Sequence, residues 1–220
     1  MIFLPFSIIL LLFLILLLPI FFFIIQIEII RLALGKIGLS PGMALLIFFM
    51  SLAGSLINIP VYAREATIFP AHHAMPAPGF FNPFGMTVEN TRQIIAINLG
   101  GCIIPLLLCI YLLPRTPLLP AFFATIITTV ICFHISRVVP GMGIAIPSLI
   151  PPIAAVALAF ILSPGNKIPV AYISGVLGVL IGADIMNLPH LGGYPGVMSI
   201  GGAGVYDGIF LVGIISALLA

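Results

Sequence analysis

Two aspartates, Asp184 and Asp207, are the only ones in this chain of 220 residues. Each stands in apolar sequence close to a glycine, Asp184 two residues after Gly182 in IGAD at 181–184 and Asp207 next to Gly208 in VYDG at 205–208. A carboxylate inside a membrane is costly, so such a residue marks an ion path, a reacting group or a buried pair. Two of them open three chemistries. They could bind a proton or cation and couple its movement to that of a small solute. They could share one proton and activate water, one as base and one as acid, if their side chains come within hydrogen-bond reach. Or they could pair with Arg137, His134 or His190 and serve a structural or assembly role alone. A proton- or cation-coupled carrier is the specific reading that follows best, with Asp184 and Asp207 holding the ion and Asn58, Asn98 and Asn187 as neutral ligands. An intramembrane aspartyl hydrolase with Asp184 and Asp207 as its catalytic pair is the alternative. A structural membrane protein is the second alternative.

Composition demands the membrane. The chain is 62% hydrophobic and 5% charged, with a mean hydropathy of +1.39, whereas a soluble domain carries about 25% charged residues. Lipid offers the backbone no hydrogen-bond partner, so spans are helices or a closed barrel. The long unbroken apolar runs select helices. The expected fold is all-α: a single polytopic transmembrane domain over 1–220 with about seven helices, at 4–25, 43–61, 93–113, 118–136, 144–162, 168–187 and 200–219. The first run lacks a basic leader and a cleavage site and reads as an uncleaved span. Ser40 is placed to cap the second helix, with Pro41 in its first turn. Pro147, Pro151 and Pro152 break the fifth.

The one long polar stretch, 62–92, is rich in Pro, Phe and Gly and reads as an interfacial loop. Its adjacent His72 and His73 have no further ligand at metal spacing. Cys102, Cys109 and Cys132 show neither zinc nor disulfide spacing. No metal or cofactor is expected. A net charge of +2 gives no footprint for nucleic acid. The partners implied are the lipid bilayer, a small solute or ion, and a second copy of the chain, since so small a carrier calls for a homo-oligomer.

Lys and Arg set the orientation. Arg31, Lys36, Arg115 and Lys167 fall on one face, and Arg64, Arg92 and Arg137 on the other. The fuller face follows the first helix. This predicts a multi-pass protein of the cell membrane with its N-terminus outside and its C-terminus cytoplasmic.

The candidate ligands gather toward the outer end. Asn58 ends the second span, Asn98 begins the third, Arg137 follows the fourth and Ser148 begins the fifth. Asp184 lies about 5 Å and Asp207 about 10 Å from that end, at 1.5 Å per residue. The expected site is a polar pocket open to one side, formed by Asp184, Asp207, Asn58, Asn98, Asn187, Ser148 and Arg137. Three stripes of small and polar residues support close packing around it: Ser51, Gly54 and Ser55; Gly101, Cys102 and Cys109; Thr125, Thr128, Thr129 and Cys132. Gly175, Gly178 and Gly182 form a further close-contact face, and so do Gly201, Gly204 and Gly208. On an ideal helix Asp184 points away from its glycines, so either it meets another neighbour or the helix loosens at Gly182–Ala183. The run 201–204 is a second place where helix would give way. PGM recurs at 41–43 and 140–142, and LGG at 99–101 is echoed by IGG at 200–202, which hints at two related halves.

Five stretches, SLINIPVY (55–62), INLGGCIIP (97–105), VPGMGIAIPSLIPP (139–152), YISGVLGVLIGADIMNL (172–188) and SIGGAGVYDGIFLVGI (199–214), resemble the domain of unknown function 1614 family of bacterial and archaeal membrane proteins. The resemblance implies a polytopic membrane protein and carries over no catalytic residues. A looser similarity links IGAD and VYDG to the Gly-x-Gly-Asp and Tyr-Asp elements of intramembrane aspartyl proteases. Here their order is reversed, and the Pro-Ala-Leu element that follows both aspartates in presenilins is represented only by Pro152-Ile153-Ala154, ahead of them.

Overall fold

Leucine- and alanine-rich runs that are punctuated by proline and glycine fold into helices that stop at those breaks. The computed structural model describes residues 6–65, 92–139, 143–192, 196–202 and 208–220. Among them are helices α1 (Phe6–Lys36), α2 (Pro41–Gly54), α3 (Ile104–Leu112), α4 (Leu118–Ile135), α5 (Ile150–Leu162), α6 (Lys167–Val179) and α7 (Gly208–Leu219). The chain is mostly helical, as its composition requires. The Ser40 cap is present: its hydroxyl oxygen accepts from the Met43 N–H at 3.4 Å, with Pro41 at the start of α2.

Among the described residues, three helical stretches are long and apolar enough to cross a membrane: Leu10–Lys36, Leu118–Ile135 and Pro164–His190. Four others, among them Pro41–Gly54 and Gly208–Leu219, are shorter. A helix of 14 residues such as α2 is about 21 Å long, against a hydrocarbon core of about 30 Å.

What stops these helices short is a set of strands in place of expected helix. β1 (Asn58–Glu65) takes the end of the second expected span, and β2 (Arg92–Asn98) the start of the third. β3 (Arg137–Val139) and β4 (Gly143–Ala145) form a hairpin between α4 and α5, and β5 (Gly196–Ile200) precedes α7. β1 pairs antiparallel with β2, and β2 pairs parallel with β5. Both ends of the expected 62–92 loop are therefore strand. The histidines at 72 and 73 lie outside the described residues.

Pro60 has no N–H to give the ladder, and the β1–β2 register shifts between Pro60 and Tyr62. β1 lies at the edge of the sheet, where proline is tolerated. Beneath the sheet, Gln93 is fully buried and gives its amide to Met198 Sδ at 3.2 Å. The Gln93 carbonyl accepts from Arg64 Nε at 2.5 Å, and Arg64 also donates to the Gly192 carbonyl. One buried side chain thus ties β1, β2 and β5 together.

Helix α6 is the hub, packed against α3, α4, α5 and α7. Its contact with α7 is reciprocal. Gly175 sits between Val212 and Ser216, and Gly213 between Tyr172 and Val176, each too close to admit a Cβ. Small residues here bring two backbones together, as membrane helices require. α1 joins this bundle mainly through its C-terminal turns and the residue after them, where Ile30, Ala33, Leu34 and Ile37 are buried, with Phe23 against Phe48 of α2 farther back. The rest of its length, Leu16 at 68% exposure for instance, presents apolar side chains outward.

A polar cavity beneath the sheet

The site is built where α6 loses its regular pitch. At Leu180–Asp184 the chain widens into a π-turn and then tightens into a 3₁₀ helix over Ile185–His190. Such π-turns are frequent at functional sites. The loosening expected at Gly182–Ala183 is present, and its cause is visible. Gly182 presses on the Thr129 carbonyl and on Cys132 of α4, closer than a Cβ would allow.

Asn187 holds the irregular segment. Its amide nitrogen donates to Ser136 Oγ (2.8 Å) and to the carbonyls of Gly182 (3.1 Å) and Ala183 (3.0 Å). Buried carbonyls at an irregular turn need donors, and the Asn187 side chain supplies one to each. The side chain is itself buried, so its donors are committed to Ser136 and to these carbonyls.

Asp184 ends the π-turn and is half-buried. It lines two cavities. One, of about 230 Å³, lies under the sheet with Asn58, Ile144, Met198, Ser199 and Gly202 on its walls. The other, of about 590 Å³, lies toward α5 and α7 with Ser148, Ile146, Val179, Ile209 and Val212. Both share Gly143, Ile144, Asp184 and Gly202, so they adjoin, with Asp184 on the wall of each. Among the described residues, Asp184 is the only charged side chain on either wall.

The roof is a hydrogen-bonded asparagine pair. Asn98 is fully buried. It donates to the Ser55 carbonyl (2.7 Å) and to Asn58 Oδ1 (3.0 Å), and its own Oδ1 accepts from the Gly101 N–H at 2.8 Å. It thereby caps the π-turn Leu99–Ile103 that leads into α3. Ser199 Oγ also donates to Asn58 Oδ1, at 2.5 Å. With that oxygen engaged twice, what Asn58 offers a ligand is its N–H donors. A hydrogen-bond acceptor (Asp184) and a donor (Asn58) therefore share one cavity.

The sequence-expected residues separate into groups. Asp184, Asn58 and Ser148 line the adjoining cavities. Asn98 and Asn187 stand behind them and bind backbone. Arg137 lies on β3 and lines a different cavity of about 690 Å³ with His134 and Pro147. Asp207 lies outside the described residues. Ser199 was not anticipated, although a serine between apolar residues ahead of Gly201–Gly202 is a visible signal. The two Gly-Gly pairs also prove to be neighbours. β2 and β5 run parallel, with Ile97 opposite Ile200, and a Cβ on Gly201 would meet Gly101 and Cys102. Gly201 has φ +76°, a conformation that glycine adopts without penalty.

Helices this long and apolar are features of a membrane protein. The chain belongs to the family described as protein of unknown function (DUF1614), whose model matches residues 52–219, from late α2 to the end of α7. No curated protein and no solved structure matches it.

Proposed function

We propose that this chain is a multi-pass protein of the cell membrane that carries a small solute, coupled to a proton or cation bound at Asp184. The observation that carries this reading is that Asp184 lies on the wall of both cavities, on a helix that is broken there. Broken helices and intramembrane carboxylates are the means by which carriers bind coupling ions. Asn58 and Ser199 on one side and Ser148 on the other supply polar contacts for a solute bearing both hydrogen-bond donors and acceptors. The N-terminus lies outside and the C-terminus in the cytoplasm, because Arg31, Lys36, Arg115 and Lys167 outnumber the basic residues of the opposite face. The cavity then opens outward. A chain of this size works as a homo-oligomer in the membrane.

Infrared difference spectroscopy of the reconstituted protein tests this, with protons and sodium as the probes. A carboxyl band that titrates or shifts with sodium, survives in Asp184→Glu and vanishes in Asp184→Asn is the expected result. Spectra of wild type and Asp184→Asn that respond identically to both probes would overturn the reading.

A further inference from the structure

At the end of the bundle away from the sheet, three cations converge from distant parts of the sequence. Lys36 ends α1, Arg115 follows α3 and Lys167 begins α6, and all three line one cavity of about 290 Å³. Its other walls are apolar or neutral, with Ile37, Leu112 and Asn166 among them. No acidic side chain is among its described lining residues.

Each cation is held in place by a neutral partner. Lys36 Nζ donates to the Leu218 carbonyl at 2.6 Å. Arg115 donates to the Tyr111 hydroxyl at 2.9 Å, stacks over that ring at 4.8 Å, and lies against Gly38 in the α1–α2 turn. Lys167 Nζ sits 4.0 Å from the Phe160 ring centroid. These contacts orient the charges without neutralising them. The first turn of α6 adds to the field, because Asn166 makes no side-chain cap bond there and a helix N-terminus favours an anion.

Leu113, next in the chain to the cavity's Leu112, begins an apolar groove of about 520 Å³ between α4 and α6. It runs from Leu113 and Leu118, on either side of Arg115 in the sequence, to Ile181. Its walls are aliphatic and aromatic, with Thr125 and Thr129 as its only hydroxyls among the described lining residues. A charged anion-binding end beside a long apolar groove matches one kind of molecule.

We propose that this end of the protein binds an anionic phospholipid, with its phosphate between Lys36, Arg115 and Lys167 and an acyl chain along the α4–α6 groove. Basic pockets between membrane helices hold such headgroups, and polybasic attraction to anionic lipid is strong per charge. The proposal is independent of any activity at Asp184.

Native mass spectrometry in a neutral detergent tests it, with added phosphatidylglycerol or phosphatidylcholine of identical chains. Wild type is expected to retain phosphatidylglycerol at least tenfold better. Each of Lys36→Gln, Arg115→Gln and Lys167→Gln should weaken that retention about fivefold, while Arg137→Gln, at the opposite end, should not. Equal retention of the two lipids by wild type would overturn the proposal without recourse to any variant. So would an Arg137→Gln loss as large as the others, or displacement of phosphatidylglycerol by millimolar inorganic phosphate, which would mark a site for free anion.

Discussion

Replacing Gly182 by alanine tests whether α6 must touch α4 for the cavity to form. A Cβ at this position would stand 2.2 Å from the Thr129 carbonyl oxygen and 3.0 Å from Cys132 Cβ. A carbon normally keeps about 3.3 Å or more from such an oxygen, so one backbone must withdraw by about 1 Å. The obstacle is a carbonyl within a helix, and no change of rotamer removes it. Overpacking of this kind costs about 2 kcal/mol, and at about 3 °C per kcal/mol for a chain of this size, Tm should fall by about 6 °C. The assay is supplied by the protein. Cys102, Cys109 and Cys132 are all free and buried, so a dye that fluoresces on reaction with thiols reports unfolding in detergent. Gly35→Ala in α1 is the matched control, because nothing lies within 4 Å of its new Cβ. It should hold or raise Tm, since a helical alanine is favoured over glycine by about 0.5–1 kcal/mol. If Gly182→Ala melts with wild type, the close approach of π-turn and α4 is wrong, and with it the account of why α6 loosens there.

Asn187→Ala should lower stability by about 1–3 kcal/mol, because it leaves the buried Gly182 and Ala183 carbonyls without their donor; a thiol-reactivity melt indistinguishable from wild type would refute the clamp. Asn187→Asp should be at least as damaging, since it places an acceptor against acceptors. Asn98→Asp keeps the acceptor for Gly101 N–H but loses the donors to Ser55 and Asn58. The aspartate also sets an acceptor against the Ser55 carbonyl and Asn58 Oδ1, so this variant should melt no higher than Asn98→Ala, and a higher melt would show that the cap rather than the pair matters. Asn58→Ala, at an exposed position, should melt within about 1 kcal/mol of wild type yet alter the sodium or proton response of the Asp184 carboxyl band; an unchanged response would remove Asn58 from the site.

What the sequence reveals depends on how local the cause is. The helix expected at 118–136 is α4 (Leu118–Ile135) almost to the residue, because its long apolar run ends at polar residues that speak for themselves. The Ser40 cap is equally local, a side-chain bond three residues away, whereas at Gly182 the glycine was the visible sign and the cause lies in the contact with α4. The strands are a different matter. QIIAIN and GVMSI are short, apolar and β-branched, and in membrane sequence such a run is also a fair piece of helix. Their state is decided by each other, through pairing between β2 and β5 that joins distant parts of the chain. Pro60 was the one local sign that the second expected helix ends early. The asparagines show a related limit. Their depth was readable, but whether an amide faces a cavity or a backbone depends on the exact local pitch: Asn58 reaches the cavity, while Asn98 and Asn187 turn to carbonyls and an N–H.

The parallel pairing of β2 with β5 also imposes an order in time. β2 is made well before β5, and in between it has only β1 to satisfy its ladder, with its second edge open. An open strand edge cannot rest against lipid. That edge must therefore wait in water or under another protein until Gly196–Ile200 has been made, and the cavity at Asp184 gains its β5 wall, with Met198 and Ser199, only then. A chain cut short before residue 196 would keep most of its helices and still lack β5, leaving the second edge of β2 unpaired.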